Sequence, residues 1–254
     1  MGGALIAGWR RGDAVAADDI WIQDPFPGAT AERAAEEGAR LNPDTVDLIG
    51  ARTVVLALKP QAWEPVARDL APSIAPDAVI ISIMAGVRAR DLSAVFPGRP
   101  IARVMPNMAA SIGKGAAGVW APTTEARVHA HTLFSPLGVV VDLETESQIH
   151  AVTGAAGSAP AYVFALVEAL EAAGLKAGLS GEAAKALSRA TLTGAAALLE
   201  DSGQGADELR RQVTSPGGTT EAALSVLIGE GALDDLVARA VLAAMARSRQ
   251  LGGE

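Results

Sequence analysis

The chain has 254 residues, half of them hydrophobic but only 4% aromatic, so its core must be built from Ala, Val, Leu and Ile rather than from rings. A formal net charge of −8, with no Lys/Arg run longer than two residues, argues against a nucleic-acid or anionic-membrane partner. The lack of cysteine excludes disulfides, thiolate catalysis and Cys-ligated metals. With no secretory leader pattern and no uncharged apolar stretch of ~18–20 residues, the expectation is a soluble, cytoplasmic protein.

Met1 to Trp9 reads as an apolar, Gly-rich helix over about 2–10. In a dinucleotide-binding fold such a helix follows a strand and a Gly-x-Gly turn, which makes Gly2 the last glycine of that fingerprint. The strand and the first two glycines then lie upstream of Met1, by about a dozen residues. That strand sits near the centre of the usual order, and leaving it out strands buried backbone groups at roughly 1–3 kcal/mol each. The alternative is a genuinely short chain repaired by a rearranged sheet or a partner's strand. Next comes an apolar run, Ile20-Trp21-Ile22, ending in Gln23-Asp24-Pro25. Asp24 is placed to accept hydrogen bonds from the adenosine ribose of NADH and to repel the extra phosphate of NADPH; the competing reading is a turn-starting Asp.

The alternation continues with β-like runs at 53–58, 79–83, 101–105 and 139–141, with 115–120 a further candidate. Helical patterns fall at 29–39, 61–71, 88–96 and 123–134. Continuous apolar strands spaced by helices predict a parallel sheet covered on both faces. Its ligand cleft is expected at the strand carboxyl ends, where Lys59-Pro60-Gln61, Ala85-Gly86-Val87 and Pro106-Asn107 lie. From about residue 146 the strands stop. Helices are predicted at 160–177, 181–201, 206–212, 219–229 and 232–251, dividing the chain into 1–145 and 146–254.

Between two of these helices runs Val213-Thr214-Ser215-Pro216-Gly217-Gly218-Thr219-Thr220-Glu221. A Gly-rich turn feeding a helix N-terminus aims unpaired N–H groups at one point, a site for a carboxylate. Taken by spacing alone, a plain capped loop is the stronger reading. His129 and His131 fall on a surface helix, and His150 reads as a solvated or capping residue. Tyr162 and Phe164 read as packing, and no His, Asp or Glu grouping has metal spacing, so no metal is expected.

Several segments together resemble pyrroline-5-carboxylate reductases: Met1 to Trp9, VVLALKPQ (Val54 to Gln61), ISIMAGV (Ile81 to Val87), RVMPN (Arg103 to Asn107), AVTGAAGSAPAYVF (Ala151 to Phe164) and LRRQVTSPGGTTEAAL (Leu209 to Leu224). The last is the most specific. The resemblance implies an α/β Rossmann-type N-terminal domain, its first strand missing from this chain as numbered, and an all-α C-terminal dimerisation domain forming a homodimer or higher homo-oligomer. It implies an NADPH- or NADH-dependent oxidoreductase that reduces the cyclic imine 1-pyrroline-5-carboxylate to L-proline, with its site between the domains. By the same resemblance Met1, Gly2, Ala57, Leu58, Lys59, Pro60, Ile83, Met84 and Ala85 line the cofactor, Asn107 stands near the nicotinamide, and Ser215, Gly217, Gly218, Thr219 and Thr220 hold the substrate. Chemistry then points to the Thr220 hydroxyl as hydrogen-bond partner of the ring nitrogen. Lys59 is the second catalytic candidate, although an ammonium lying over cofactor phosphate is the better reading of it.

The chain departs from the family's pattern at Ala156 and Ala159, where Ser and Gly are common, and at Gln204-Gly205-Ala206 in place of Glu-His-Pro. Those changes leave open a related imine or β-hydroxyacid reductase. A non-catalytic dimeric assembly protein without cofactor binding is the reading from another class.

Overall fold

Strands and helices alternate through the first 142 residues of the computed structural model, which describes residues 1–253. In chain order they are α1 (Gly2–Arg11), β1 (Trp21–Ile22), α2 (Ala29–Glu36), β2 (Arg40–Leu41), β3 (Thr53–Leu56), α3 (Trp63–Leu70), β4 (Val79–Ser82), α4 (Ala89–Val95), β5 (Ile101–Pro106), β6 (Gly115–Trp120), α5 (Thr124–Phe134) and β7 (Gly138–Asp142). Only β2 is absent from the sequence reading, being two residues long. β1 and β2 pair in parallel as one small sheet, and the other strands form a second sheet in the order β3-β4-β5-β6-β7. Among the described residues no ladder joins β1 to β3, so each has a side without a strand partner.

The all-parallel expectation fails at one place. β5 and β6 are antiparallel, pairing Arg103 with Trp120 and Pro106 with Ala117. The chain between them, residues 107–114, is too short for the crossover of a dozen or more residues that parallel neighbours need. It turns back through a short 3-10 helix, Met108–Ile112, closed by Gly113 in the left-handed conformation at φ 72°.

Period-two alternation in β4 sends Val79 and Ile81 into one core and Ile80 into another. The first core joins them to Leu5, Ile6 and Trp9 of α1 and to Phe134 and Leu137. The second gathers Leu56, Trp63, Leu92, Phe96 and Ile101. Both faces of the sheet are therefore covered. Each large side chain so buried contributes roughly 1.5–3 kcal/mol. Trp9 is further fixed by an Nε1–H donated to the Leu133 carbonyl at 2.6 Å.

The helical half comprises α6 (Gln148–Val152), α7 (Ala159–Lys176), α8 (Gly181–Ser202), α9 (Ala206–Gln212), α10 (Thr219–Leu227) and α11 (Ala232–Leu251). α6 runs into α7 through a π-helical turn, Thr153–Gly157. The chain forms two compact units. Residues 1–160 and the segment from Val241 onward make one, and Ala161–Ala240 the other. In the first unit, His150 is buried, contrary to its reading as a solvated or capping residue, and its Nδ1 lies 2.9 Å from the Ser248 Oγ of α11. Gly154 meets the same helix: an added Cβ would lie 2.6 Å from the Val241 carbonyl oxygen.

In the second unit, Ser180 caps α8 by accepting from Ala183 N–H at 3.2 Å, and Gly203 ends that helix at φ 63°. Among its described residues only Ala184 and Ser188 are buried. Phe164, Leu166, Leu187, Leu198 and Val226 are all exposed. Helices this apolar, with so little core of their own, present contact surface rather than a finished exterior. By length and composition the continuous run Gln148–Lys176 is even apolar enough to cross a membrane, which the sequence reading had excluded for the whole chain.

Candidate active site

In the first unit, three predicted cofactor segments converge. α1 starts at Met1 with no side-chain cap and no acidic residue in its first turn. Its first internal bond runs from Ala4 N–H to the Met1 carbonyl at 2.8 Å, so the N–H groups of Gly2 and Gly3 precede the ladder and remain available. A Cβ added at Gly2 would sit 3.4 Å from the Ala57 Cβ, which places the helix start against the loop leaving β3. β3 and β4 end side by side, with Leu56 opposite Ser82. Their loops, Ala57–Pro60 and Ile83–Ala85, therefore emerge as neighbours. Leu58 and Pro60 are half-buried, Ala57 and Lys59 are exposed, and Ile83 and Met84 are buried beneath a half-buried Ala85.

Asp24 follows β1. One carboxylate oxygen accepts from Phe26 N–H at 2.9 Å, and Asn42 clasps the Asp24 backbone, accepting from its N–H and donating to its carbonyl, both at 2.9 Å. The turn-starting role is thus real, and the second carboxylate oxygen has no protein partner among the described residues. Asn107 is pinned at the start of the β5–β6 turn. Its Oδ1 accepts from Ala109 N–H at 3.2 Å and Ala116 N–H at 3.4 Å, while Nδ2 donates to the Ala156 carbonyl at 3.3 Å. The π turn carrying Ala156 is thereby fastened to the end of β5.

Two polar residues escaped the sequence reading. Arg103 lies within the apolar run of β5 with its side chain 1% exposed, 3.0 Å from a Glu146 carboxylate oxygen. A lone charge inside a buried strand was the available signal, because such a group survives only with a partner.

In the second unit, the Ser215–Thr220 turn is built as a helix entry. Gly217 adopts φ 69°, closed to most other residues, and a Cβ added at Gly218 would lie 2.6 Å from the Ser215 Oγ. Not every donor in it is free. Gly218 N–H bonds the Ser215 carbonyl at 3.0 Å, and Gly217 N–H bonds the Glu221 carboxylate at 2.7 Å. The first bond closing α10 runs from Ala222 N–H to the Gly218 carbonyl at 3.2 Å. The N–H groups of Thr219, Thr220 and Glu221 lie ahead of the helix ladder, with the positive end of the helix dipole behind them, an arrangement suited to an anion. Upstream on α9, the Arg211 guanidinium holds the exposed Asp207 carboxyl below its ordinary range, chiefly through their 2.8 Å hydrogen bond and then by charge.

Residues 146–251 match the sequence model described as pyrroline-5-carboxylate reductase dimerisation, and residues 1–86 match NADP oxidoreductase, coenzyme F420-dependent. A pyrroline-5-carboxylate reductase of Pseudomonas aeruginosa is 39% identical over 99% of this chain and 93% of its own length. The chain belongs to the pyrroline-5-carboxylate reductase family. The Haemophilus influenzae reductase is 35% identical over 99% of this chain and 94% of its own. Among solved structures, the reductase of Coxiella burnetii superposes with a TM-score of 0.87 at 30% identity, covering 98% of this chain and 93% of that one. The Plasmodium falciparum enzyme with NADP bound gives 0.83 at 26% identity, covering 99% and 94%. The fold class is accordingly a Rossmann-type N-terminal domain with a helical dimerisation region, and the exposed apolar helix faces are what a self-associating region requires.

Proposed function

We propose that this protein reduces 1-pyrroline-5-carboxylate to L-proline with NADPH or NADH as hydride donor. Family membership over nearly the whole chain is the observation that carries the assignment. The residues present suit the cofactor: two uncapped N–H groups at the start of α1, a glycine where that helix meets the β3 loop, and no acidic side chain in the first turn. Gly2 and Gly3 would face its phosphates. Ala57–Pro60 and Ile83–Ala85 would line its nicotinamide half, and Asn107 would stand beyond them. When bound, the reduced nicotinamide supplies the hydride.

The chain's own residues supply orientation and charge. The N–H groups of Thr219, Thr220 and Glu221 fix the substrate carboxylate, with Ser215, Gly217 and Gly218 shaping the turn that presents them. Hydride transfer needs its reacting atoms ~3–3.5 Å apart, and a fixed carboxylate sets the orientation of the ring for it. The Thr220 hydroxyl hydrogen-bonds the ring nitrogen. Threonine is too weak an acid to be the final proton source at neutral pH, so solvent, or substrate that arrives already protonated, provides that proton. One hydride goes to carbon and one proton to nitrogen, which balances the reduction. Lys59 is best placed over cofactor phosphate as a counter-charge. The reaction draws on soluble reactants, which supports a cytoplasmic location.

The deciding assay is oxidation of NADH and NADPH with pyrroline-5-carboxylate, run on this chain and on one extended through the in-frame upstream codons. Turnover by either supports the assignment; none by either overturns it. Asp24→Ala is expected to raise the NADPH/NADH ratio of kcat/KM by about tenfold, the worth of one hydrogen bond to a charged group. An unchanged ratio would leave Asp24 as a turn residue alone.

Association through the helical half completes the proposal. Phe164, 54% exposed on α7, is placed to be covered by a second subunit. Phe164→Asp is expected to shift the protein toward monomer in sedimentation, because a carboxylate buried without a partner costs more than the contact gains. An unaltered mass would put the interface elsewhere.

A further inference from the structure

The predicted cofactor loop Ile83–Ala85 is tied to one charged network, all of it within the first compact unit. Glu146 lies beyond the end of β7, and a single carboxylate oxygen, Oε1, accepts from Arg103 Nη1 at 3.0 Å and from Ala89 N–H at 2.7 Å. Ala89 is the first residue of α4, whose own N-cap residue, Arg88, gives no side-chain cap. Glu146 therefore caps from a distance of 57 residues a helix that starts just after the loop. Arg103 reaches the loop itself: Nη2 lies 3.5 Å from the Met84 carbonyl, while Met84 N–H donates to Ser82 Oγ at 3.3 Å. The Met84 peptide is thus held on both sides, between β4 and the left-handed Gly86 at φ 81°.

A buried guanidinium is a poor means of gaining stability, since its desolvation offsets much of its attraction to the half-buried Glu146 carboxylate. An apolar residue would fill the middle of β5 at no such cost. What the pair provides is position, because one planar guanidinium faces the Glu146 carboxylate through Nη1 and the Met84 carbonyl through Nη2. The residues it fixes are the Met84 peptide and the first turn of α4, which bracket Ala85 and Gly86.

We propose that Glu146, acting through Arg103 and the α4 N-terminus, is a positioning residue that holds the Ile83–Ala85 loop in the shape that receives the nicotinamide cofactor. This rests on the reading of that loop as cofactor-lining. Removing the carboxylate takes the Glu146 hydrogen bond from Arg103 and the acceptor from Ala89 N–H, so the loop loses two restraints at once.

The test is direct binding of NADH and NADPH without substrate, followed by the change in nicotinamide fluorescence, alongside thermal melting and steady-state kinetics. Glu146→Ala is expected to weaken cofactor binding roughly tenfold, one charge-assisted hydrogen bond's worth, with KM for pyrroline-5-carboxylate within about twofold of the parent. Glu146→Gln keeps an oxygen acceptor and is expected to recover most of the loss. A lower melting temperature with unchanged cofactor affinity in Glu146→Ala would make the pair merely structural and overturn the proposal. Should that variant not fold, Glu146→Asp decides, because its shorter arm cannot reach both donors, and unaltered cofactor affinity there would equally overturn it. Ala85→Glu separates the two readings. If it leaves cofactor binding intact, the loop assignment fails and this inference with it. If it abolishes binding while Glu146→Ala does not weaken it, only the role of Glu146 fails.

Discussion

Thr220→Ala is expected to lower kcat by about a hundredfold, the usual loss when a group managing a proton in the transition state is removed, while the melting temperature holds. Thr220 is the second residue of α10 and half-buried, and its hydroxyl has no hydrogen-bond partner among the described residues. Deleting a side chain that bonds nothing in the free protein costs little stability, and alanine is the better helix former by a few tenths of a kcal/mol. KM for the imine acid should move less than kcat, because the carboxylate is held by backbone N–H groups that the substitution leaves in place. Thr220→Ser keeps a hydroxyl at the same carbon and is expected to recover most of the turnover. Thr219→Ala serves as the neighbouring control: it too leaves the backbone N–H groups in place, and its kcat should stay near the parent's. Unchanged kcat in Thr220→Ala would remove the hydroxyl from the mechanism and leave the turn as a carboxylate clamp only.

The difference between what the chain's letters carry and what they do not is clearest around that turn. Pro216, Gly217 and Gly218 announce a reversal because only glycine takes φ 69° freely, and the threonines announce a helix start, so the turn and the helix entry could be read directly. The reach of Glu221 back to Gly217 could not, since it depends on a rotamer that nothing in the spacing fixes. The same split holds elsewhere. Apolar period and punctuation located every strand longer than two residues, yet the antiparallel direction of β6 followed from the shortness of the chain before it rather than from β6 itself. His150 and Ser248 meet across 98 residues, and Arg103 and Glu146 across 43, and neither pairing has a local signature. The helices from 161 to 240 were legible as helices, but not which of their faces would be covered within the chain. Ala- and Leu-rich stretches read alike whether they are buried within one chain or await a second, and here Leu187 and Leu198 stand exposed.

A large stability effect is expected at Gly8, on the face of α1 that packs against the 3-10 turn Met108–Ile112. A Cβ built there would run into the Ala110 carbonyl oxygen and come within 2.6 Å of Leu137 Cδ2. Leu137 is a side chain and can give way; the carbonyl belongs to the backbone and cannot move without its turn. Gly8→Ala must therefore separate α1 from that turn, an overpacking strain of about 1–3 kcal/mol, only partly offset by the ~1 kcal/mol that alanine gains over glycine in a helix. For a body of this size that is a fall of roughly 5 °C in melting temperature. Gly3→Ala is the control on the same helix, because its added Cβ meets only Thr30, at 3.6 Å in ordinary contact, and the propensity gain should leave its melting temperature unchanged or higher. The consequence extends to function, since Asn107 begins the displaced turn and binds Ala109, Ala116 and Ala156 through its side chain. Gly8→Ala should accordingly weaken cofactor binding as well as lower the melting temperature. A variant that melts earlier yet binds NADH and NADPH as the parent does would show that the position of Asn107 does not govern the nicotinamide end of the site.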